Sequence, residues 1–284
     1  MTAIADLLRV AADRLRSAGV EAPRLDARLL LGHVLGREVW PHERDAVADS
    51  AREAFEALLT RRMAREPASR ILGRRAFWTL DLALGPETLD PRPDSETLIE
   101  AAVEAFHDRA PPARLLDLGT GTGCLLLAAL AEFPRASGLG IDRAAGAVAV
   151  ARQNATANGS AGRARFEVAD WTQAVIGPVD LILCNPPYVE IGAVRYLAPE
   201  VTRHDPPAAL FAGADGLDAY RELAPLLGGM LAPGGVVVLE LGQGQRDRVA
   251  ALMTEAGLVV VASRDDLSGM TRALVLQWND SRDD

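Results

Sequence analysis

The stretch DLILCNPPYV, residues 180–189, runs from apolar side chains into an amide, two prolines and a tyrosine. Leu181 to Cys184 reads as an interior strand of a sheet covered on both faces. Proline gives no N–H to a sheet ladder, so Pro186 and Pro187 stop that strand, and Pro186 biases Asn185 toward extended backbone. The result is a carboxamide at the carboxyl end of a strand, on a stiff turn, with an aromatic ring three residues on. A carboxamide carries both an acceptor and donors. It can therefore orient another amide, or an amino group, for attack. Asn-Pro-Pro also serves simply to end a strand, so the rest of the chain must decide.

A second chemical motif lies in RLLDLGTGTGCLLLAAL, residues 114–130. Asp117 ends an apolar strand, Gly119, Gly121 and Gly123 alternate with Thr120 and Thr122, and an apolar helix follows. Glycines permit torsions and close approaches that a side chain forbids. The pattern is Asp-x-Gly-x-Gly-x-Gly, not the dinucleotide Gly-x-Gly-x-x-Gly. It lacks the lysine of a phosphate loop, and the chain contains no lysine at all. The next strand ends at Asp142, 23 residues after Gly119, where a doubly wound nucleotide site places an acid for ribose hydroxyls. The following strand ends in Asp170-Trp171, an acid and a flat ring suited to the amino group and face of adenine. Either acid alone could merely cap the next helix. Together, in order on successive strand ends, they point to an adenosine compound that need not carry phosphates.

The elements that must position these groups follow from periodicity. Residues 1–75 read as a helical module. Ile4, Leu7, Leu8, Ala11 and Leu15 recur at helical spacing before Gly19. Pro23 opens a second helix with a face of Leu25, Leu29, Leu30 and Val34, closed by Gly36. A third starts at an Asp49/Ser50 cap and carries Phe55, Leu58, Leu59 and Met63. Residues 76–92 suggest a two-stranded connector around Gly85-Pro86. A helix capped by Asp94 then buries Leu98, Ala102 and Phe106. From residue 114 strands (114–118, 137–141, 164–168, 179–184, 236–241, 259–263, 273–277) alternate with helices. That alternation implies an α/β doubly wound, mostly parallel sheet of seven strands over 93–284, the final pair closing it as an antiparallel hairpin. The end, NDSRDD, reads as a frayed charged tail.

Composition narrows the function class. The net charge is −9, unevenly spread: residues 1–75 hold 14 arginines against 11 acids, and the remainder 16 against 28. An acidic catalytic half argues against wrapping a nucleic-acid backbone. No run approaches the roughly 18 apolar residues of a membrane helix. The amphipathic opening, broken by Asp6, Arg9, Asp13 and Arg14, does not read as a secretory signal. Cys124 and Cys184 sit in apolar contexts and the four histidines have no ligand spacing, so we expect no metal, no disulfide and a cytoplasmic protein.

Asp117 with GTGTG, Asp142, Asp170-Trp171 and NPPY together resemble the class I S-adenosylmethionine-dependent methyltransferases. More narrowly, EPASRILGRRAFWTLDLAL, PRPDSE and NPPYV are similar to the HemK/PrmC family of protein glutamine N5-methyltransferases, over roughly the whole chain. The resemblance implies S-adenosyl-L-methionine as cofactor and, as substrate, the glutamine in the Gly-Gly-Gln loop of class 1 peptide chain release factors. It assigns the cofactor to Asp117, Gly119 to Gly123, Asp142, Asp170, Trp171 and Asn185, and the substrate amide to Asn185, Pro186, Pro187 and Tyr188. Asn185, Pro186 and Tyr188 are then the catalytic set. The helical module becomes a substrate dock and the protein a monomer without direct nucleic-acid or membrane binding. The chain departs from the family pattern at Arg65, where glycine is frequent, and at Asp205, where glutamate is usual. Other readings are an N-methyltransferase for DNA or RNA bases, glutamine methylation of a ribosomal protein, and a non-catalytic module that only binds S-adenosylmethionine. The acidic half disfavours the first, and the intact glycines, Asp142 and NPPY disfavour the last.

Overall fold

The computed structural model describes residues 2–173 and 176–278, so the tail expected to fray, 279–284, lies outside the described residues. The chain divides into two compact units, Met1–Arg74 with Ala198–His204, and Arg75–Leu197 with Asp205–Asp284.

In the first unit β1 (Thr2–Ala3) leads into α1 (Ile4–Ser17) and α2 (Pro23–Leu35), β2 (Ala46–Val47) pairs antiparallel with β1, and α3 (Asp49–Met63) and α4 (Ala68–Leu72) complete the run. The apolar stripe of α1 is buried as its spacing requires, and Gly19 and Gly36 take φ of +76° and +66° to end their helices. In α2 the buried face is Asp26, Ala27, Leu30 and Leu31, while Leu25 and Leu29, expected inside, are exposed. A run of leucines suits more than one face, and a buried ion pair decides between them. The Asp26 carboxylate accepts from Arg62 Nε at 2.7 Å, and a charge is tolerated inside only when paired. Neither Asp49 nor Ser50 caps α3. Ala48 holds the cap position, and Asp49 lies in the first turn, where its charge favours the helix dipole.

Arg65 has φ +70°, the left-handed backbone that favours glycine. Its side chain supplies a compensation that glycine lacks. Nε and Nη2 each donate to Glu200 at 2.6 Å, and Arg62 adds a third bond at 3.0 Å. Burial would raise the Glu200 carboxyl, but the Arg65 and Arg62 guanidiniums hold it down at about 2.

The second unit begins at the second residue of β3 (Arg74–Phe77), which forms a hairpin with β4 (Leu80–Ala83). The hairpin turns at Trp78 and Thr79, not around Gly85-Pro86, with Trp78 at φ +54°. Gly85 belongs instead to the next loop, bonded through N–H and C=O to the buried Thr88 hydroxyl. A 3₁₀ turn (Pro93–Ser95) precedes α5 (Glu96–Ala105), so Asp94 sits inside that turn and caps nothing. Leu98, Ala102 and Phe106 are buried as read.

Then come β5 (Arg114–Leu118), α6 (Cys124–Glu132), β6 (Ser137–Asp142), α7 (Ala145–Ala157), β7 (Ala164–Val168) and β8 (Val179–Cys184). After α8 (Pro199–His204), which belongs to the first unit, follow α9 (Asp218–Met230), β9 (Leu231–Glu240), α10 (Arg246–Glu255), β10 (Leu258–Asp265) and β11 (Thr271–Trp278). The seven strands lie in the order β10-β11-β9-β8-β5-β6-β7, with β11 antiparallel to both neighbours and β5 to β9 mutually parallel. Successive residues alternate between faces. Leu115, Leu181 and Val236 pack with α5, α6 and α7, while Leu116, Ile182 and Val237 pack with α9 and α10. Among the described residues no helix is long and apolar enough to cross a membrane.

The two substitutions at Arg65 separate its strain from its ion pair. Arg65→Ala keeps the strained backbone and loses Glu200, whereas Arg65→Gly loses Glu200 but removes the strain. Urea denaturation should show the glycine variant more stable than the alanine variant by about 1 kcal/mol. Equal stability of the two would mean that the backbone at this position is not strained.

Candidate active site

Register brings the chemical residues together. Leu118 lies level with Ile141 on one side and Cys184 on the other, and Cys184 lies level with Leu239. The parallel strands therefore end in one row, and Gly119, Asp142, Asn185 and Glu240 emerge side by side. Open α/β sheets bind ligands at that edge. Here it forms a cleft of about 470 Å³, walled by Gly119, Gly121, Asp142, Asp170, Trp171, Asn185 and Pro187. A volume of that size suits a cofactor-sized molecule.

The glycine turn is built for close approach. Gly119 N–H and Thr120 N–H both donate to the Ile141 carbonyl at 2.9 Å. Gly121, with φ +55°, has nothing within 4 Å of where a Cβ would stand, so its backbone is open to the cleft. Gly123 has no such room: a Cβ would press on Phe166 at 3.2 Å and on Ala151 at 3.3 Å. Asp117, Thr120 and Thr122 are buried beneath the turn instead of lining the cleft. Thr120 Oγ1 donates to Asp117 Oδ2 at 2.6 Å. Burial pushes the Asp117 carboxyl up to about 7, with the Thr120 hydroxyl opposing. Its Oδ1 has no hydrogen-bond partner.

Asp142 braces the turn as well as facing the cleft. Its Oδ2 accepts from Gly121 N–H and its Oδ1 from Ala144 N–H, both at 2.9 Å. Each oxygen keeps a further acceptor site. Asp170 Oδ1 accepts from the backbone and hydroxyl of Thr172, which hold its carboxyl below the usual range. Trp171 forms a wall, with its indole N–H 3.4 Å from Glu222 Oε2.

In the Asn-Pro-Pro-Tyr turn, Asn185 is half-buried and its Nδ2 donates to Ser95 Oγ at 3.2 Å. Pro186 is buried, and Pro187 lines the cleft. Tyr188 points its hydroxyl at Glu240 Oε1, 3.1 Å away, so its ring end is anchored and not free. Gln245 Nε2 donates to the Tyr188 carbonyl at 3.0 Å. Burial and the adjoining Glu240 carboxylate push the Tyr188 phenol up, which keeps it a donor.

Several residues at the site were not singled out from sequence. Pro206 to Ala209 form a wall opposite the strand ends. Asp205, just before them and noted from sequence only as a departure from the family pattern, is buried and accepts from Arg92 and from Asp90 N–H, tying that wall to the PRPDSE segment. Asn154 bridges the hairpin and the glycine turn through Ala83 and the Thr122 carbonyl. Ser95 and Glu240 stand behind Asn185 and Tyr188. A lone acid closing the apolar run VVVLEL was a legible signal for Glu240.

Known proteins share both the sequence and the fold. The PrmC N-terminal domain model matches residues 6–73 and the methyltransferase small domain model matches residues 94–204. A release factor glutamine methyltransferase of Rhodospirillum rubrum is 53% identical over 95% of this chain and 83% of its own. One from Bradyrhizobium diazoefficiens is 44% identical over 94% and 92%. Among solved structures, a ribosomal protein L11 methylase of Lactobacillus delbrueckii subsp. bulgaricus superposes with a TM-score of 0.50 at 19% identity, covering 66% of this chain and 80% of that one, a likeness of fold. Full-length identity, the helical unit and the methyltransferase sheet agree: the chain belongs to the release factor glutamine methyltransferase family.

Proposed function

We propose that this protein transfers a methyl group from S-adenosyl-L-methionine to the side-chain N5 of the glutamine in the Gly-Gly-Gln loop of class 1 peptide chain release factors. The observation that carries the reading is the Asn185 carboxamide, half-buried on the cleft wall at the end of β8 and fixed from behind by Ser95. The family relatives named above are release factor glutamine methyltransferases, which supplies the acceptor.

The residues of the cleft fit the cofactor. Gly121 leaves its backbone open and Asp142 has acceptor capacity left at the mouth. Gly119 and Gly121 would hold the methionine end on a turn that Asp117 braces from beneath, Asp142 the ribose, and Asp170 and Trp171 the adenine. When bound, the cofactor supplies a methyl group on positively charged sulfur. An amide nitrogen is a poor nucleophile because its lone pair is delocalised into the carbonyl. Positioning is therefore the main task, and holding reactants in line can lower a barrier by about 7–11 kcal/mol. Asn185 Nδ2 carries two protons. One goes to Ser95, and the other serves the substrate carbonyl, while Oδ1 accepts from the substrate NH₂. The Pro186 carbonyl accepts the second substrate N–H. Two acceptors so placed favour the positive charge that develops on nitrogen. Tyr188, tied at its hydroxyl, walls the slot.

The helical unit contributes none of the described cleft residues, and in this reading it docks the protein substrate. Release factors work in the cytoplasm, and the enzyme is placed there with them.

Two substitutions test this assignment. Asp142→Ala should weaken S-adenosylmethionine binding roughly tenfold or more, one hydrogen bond to a charged group being worth about 1.5–3 kcal/mol. Calorimetry showing unchanged affinity would remove Asp142 from the ribose site.

Asn185→Asp keeps the shape and the acceptor but replaces the donor with a negative oxygen facing the substrate carbonyl. The lost bond and the new repulsion should cost on the order of 2–4 kcal/mol in the transition state, a roughly thirty- to thousandfold loss of turnover. Cofactor affinity should change far less. Near wild-type methylation of a release factor by Asn185→Asp would rule out the amide pairing.

A further inference from the structure

Behind the Asn-Pro-Pro-Tyr turn stands a carboxylate that binding of cofactor and substrate leaves unused. Glu240 ends β9 at the level of Asn185, is 1% exposed, and follows the fully buried Val236 to Leu239. An apolar residue would extend that strand's core at no cost, whereas a buried carboxylate is expensive unless its oxygens are matched. No arginine forms an ion pair with it among the described contacts. Arg272, the nearby cation, donates to Asp266 and to the Leu241 carbonyl. What Glu240 does have is the turn. Its Oε1 accepts from the Tyr188 hydroxyl at 3.1 Å, and its Oε2 has no hydrogen-bond partner. Burial pushes the Glu240 carboxyl up to about 7, and the nearby Ser95 hydroxyl, itself 2% exposed, opposes that rise. Ser95 Oγ in turn receives the Asn185 Nδ2–H.

We propose that Glu240 is a positioning residue for methyl transfer, fixing the Tyr188 ring directly and the Asn185 amide through Ser95. The inference rests on the function proposed above for the cleft. In its ionised form Glu240 only accepts, so the Tyr188 hydroxyl donates to Oε1, and a Ser95 hydroxyl turned toward the partnerless Oε2 would donate there. With its proton turned that way, Ser95 offers Asn185 only an acceptor. The amide is thereby held with its nitrogen toward Ser95 and its carbonyl oxygen toward the substrate, and the flipped amide would set oxygen against oxygen. A glutamine at position 240 has the same shape but offers donors as well, so the direction of the chain is no longer imposed.

The test uses the protein with Glu240→Gln, which preserves volume and replaces the ionisable acceptor with a neutral amide that also donates. Turnover should fall roughly ten- to a hundredfold, the scale of a small misplacement of a reacting group. The KM for release factor and the Kd for S-adenosylmethionine should stay within about twofold, because neither ligand touches Glu240. Ser95→Ala should lower turnover similarly, Ser95→Thr should restore most of it, and Ser95→Ala should add little on top of Glu240→Gln. Wild-type turnover in Glu240→Gln, or full additivity of the two losses, would overturn the proposal.

A second readout does not depend on the methyl acceptor. The side-chain NH₂ signals of Asn185, identified by their loss in Asn185→Asp, should be protected from hydrogen exchange in the wild type and lose that protection in Glu240→Gln. Unchanged protection would overturn the role of Glu240 even if the acceptor proved not to be a release factor. Absence of methyl transfer by the wild type would instead fault the acceptor alone.

Discussion

Parallel strands in register must end together, and everything in the cleft depends on where they end. Leu118, Ile141 and Cys184 stand level across β5, β6 and β8. Each strand then breaks for its own local reason. The glycine turn follows β5, Asp142 closes β6 with its side chain folded onto the backbone of Gly121 and Ala144, and two prolines stop β8. Because the breaks coincide, groups 66 residues apart in sequence, Gly119 and Asn185, line one cleft. A slip of one residue in β8 would send Asn185 to the opposite face. In the register observed, Leu181 and Leu183 pack into one core and Ile182 and Cys184 into the other.

The sheet keeps two carboxylates inside, Asp117 on β5 and Glu240 on β9, both pushed up to about 7, chiefly by burial. Each carries an oxygen with no hydrogen-bond partner, which in a packed interior signals a ligand or a positioning task more than stability. Asp117 stands under the glycine turn and Glu240 under the Asn-Pro-Pro-Tyr turn. The two turns that approach the reacting partners are thus both braced from below by acids.

Much of this was readable in the chain. Strands of the parallel sheet announced themselves as short apolar runs between helical patterns, and β5, β7 and β8 fall on the residues expected. The glycine turn, Asp142, Trp171, Asn185 and Pro187 do share one cleft. What sequence could not decide were choices made by distant partners. The face of α2 is chosen by Arg62 on α3, which takes Asp26 inside and leaves Leu25 and Leu29 out. The hairpin turns at Trp78 because Gly85 is claimed by Thr88. Arg65 looked like a departure at a glycine position, and its strained backbone and bonds to Glu200 explain both the preference and the exception. Asp205, another departure, proves to pin the cleft wall through Arg92. Ser95 and Glu240 touch the turn only through the fold.

The central claim is that the cleft turns an unreactive amide nitrogen into a methyl acceptor by orientation. Its most direct test is mass spectrometry of a purified class 1 release factor incubated with this protein and S-adenosylmethionine. The account predicts a single added methyl group, on the side-chain nitrogen of the glutamine in the Gly-Gly-Gln loop. A methyl group found on another side chain, or on nucleic acid with the release factor unmodified, would contradict it.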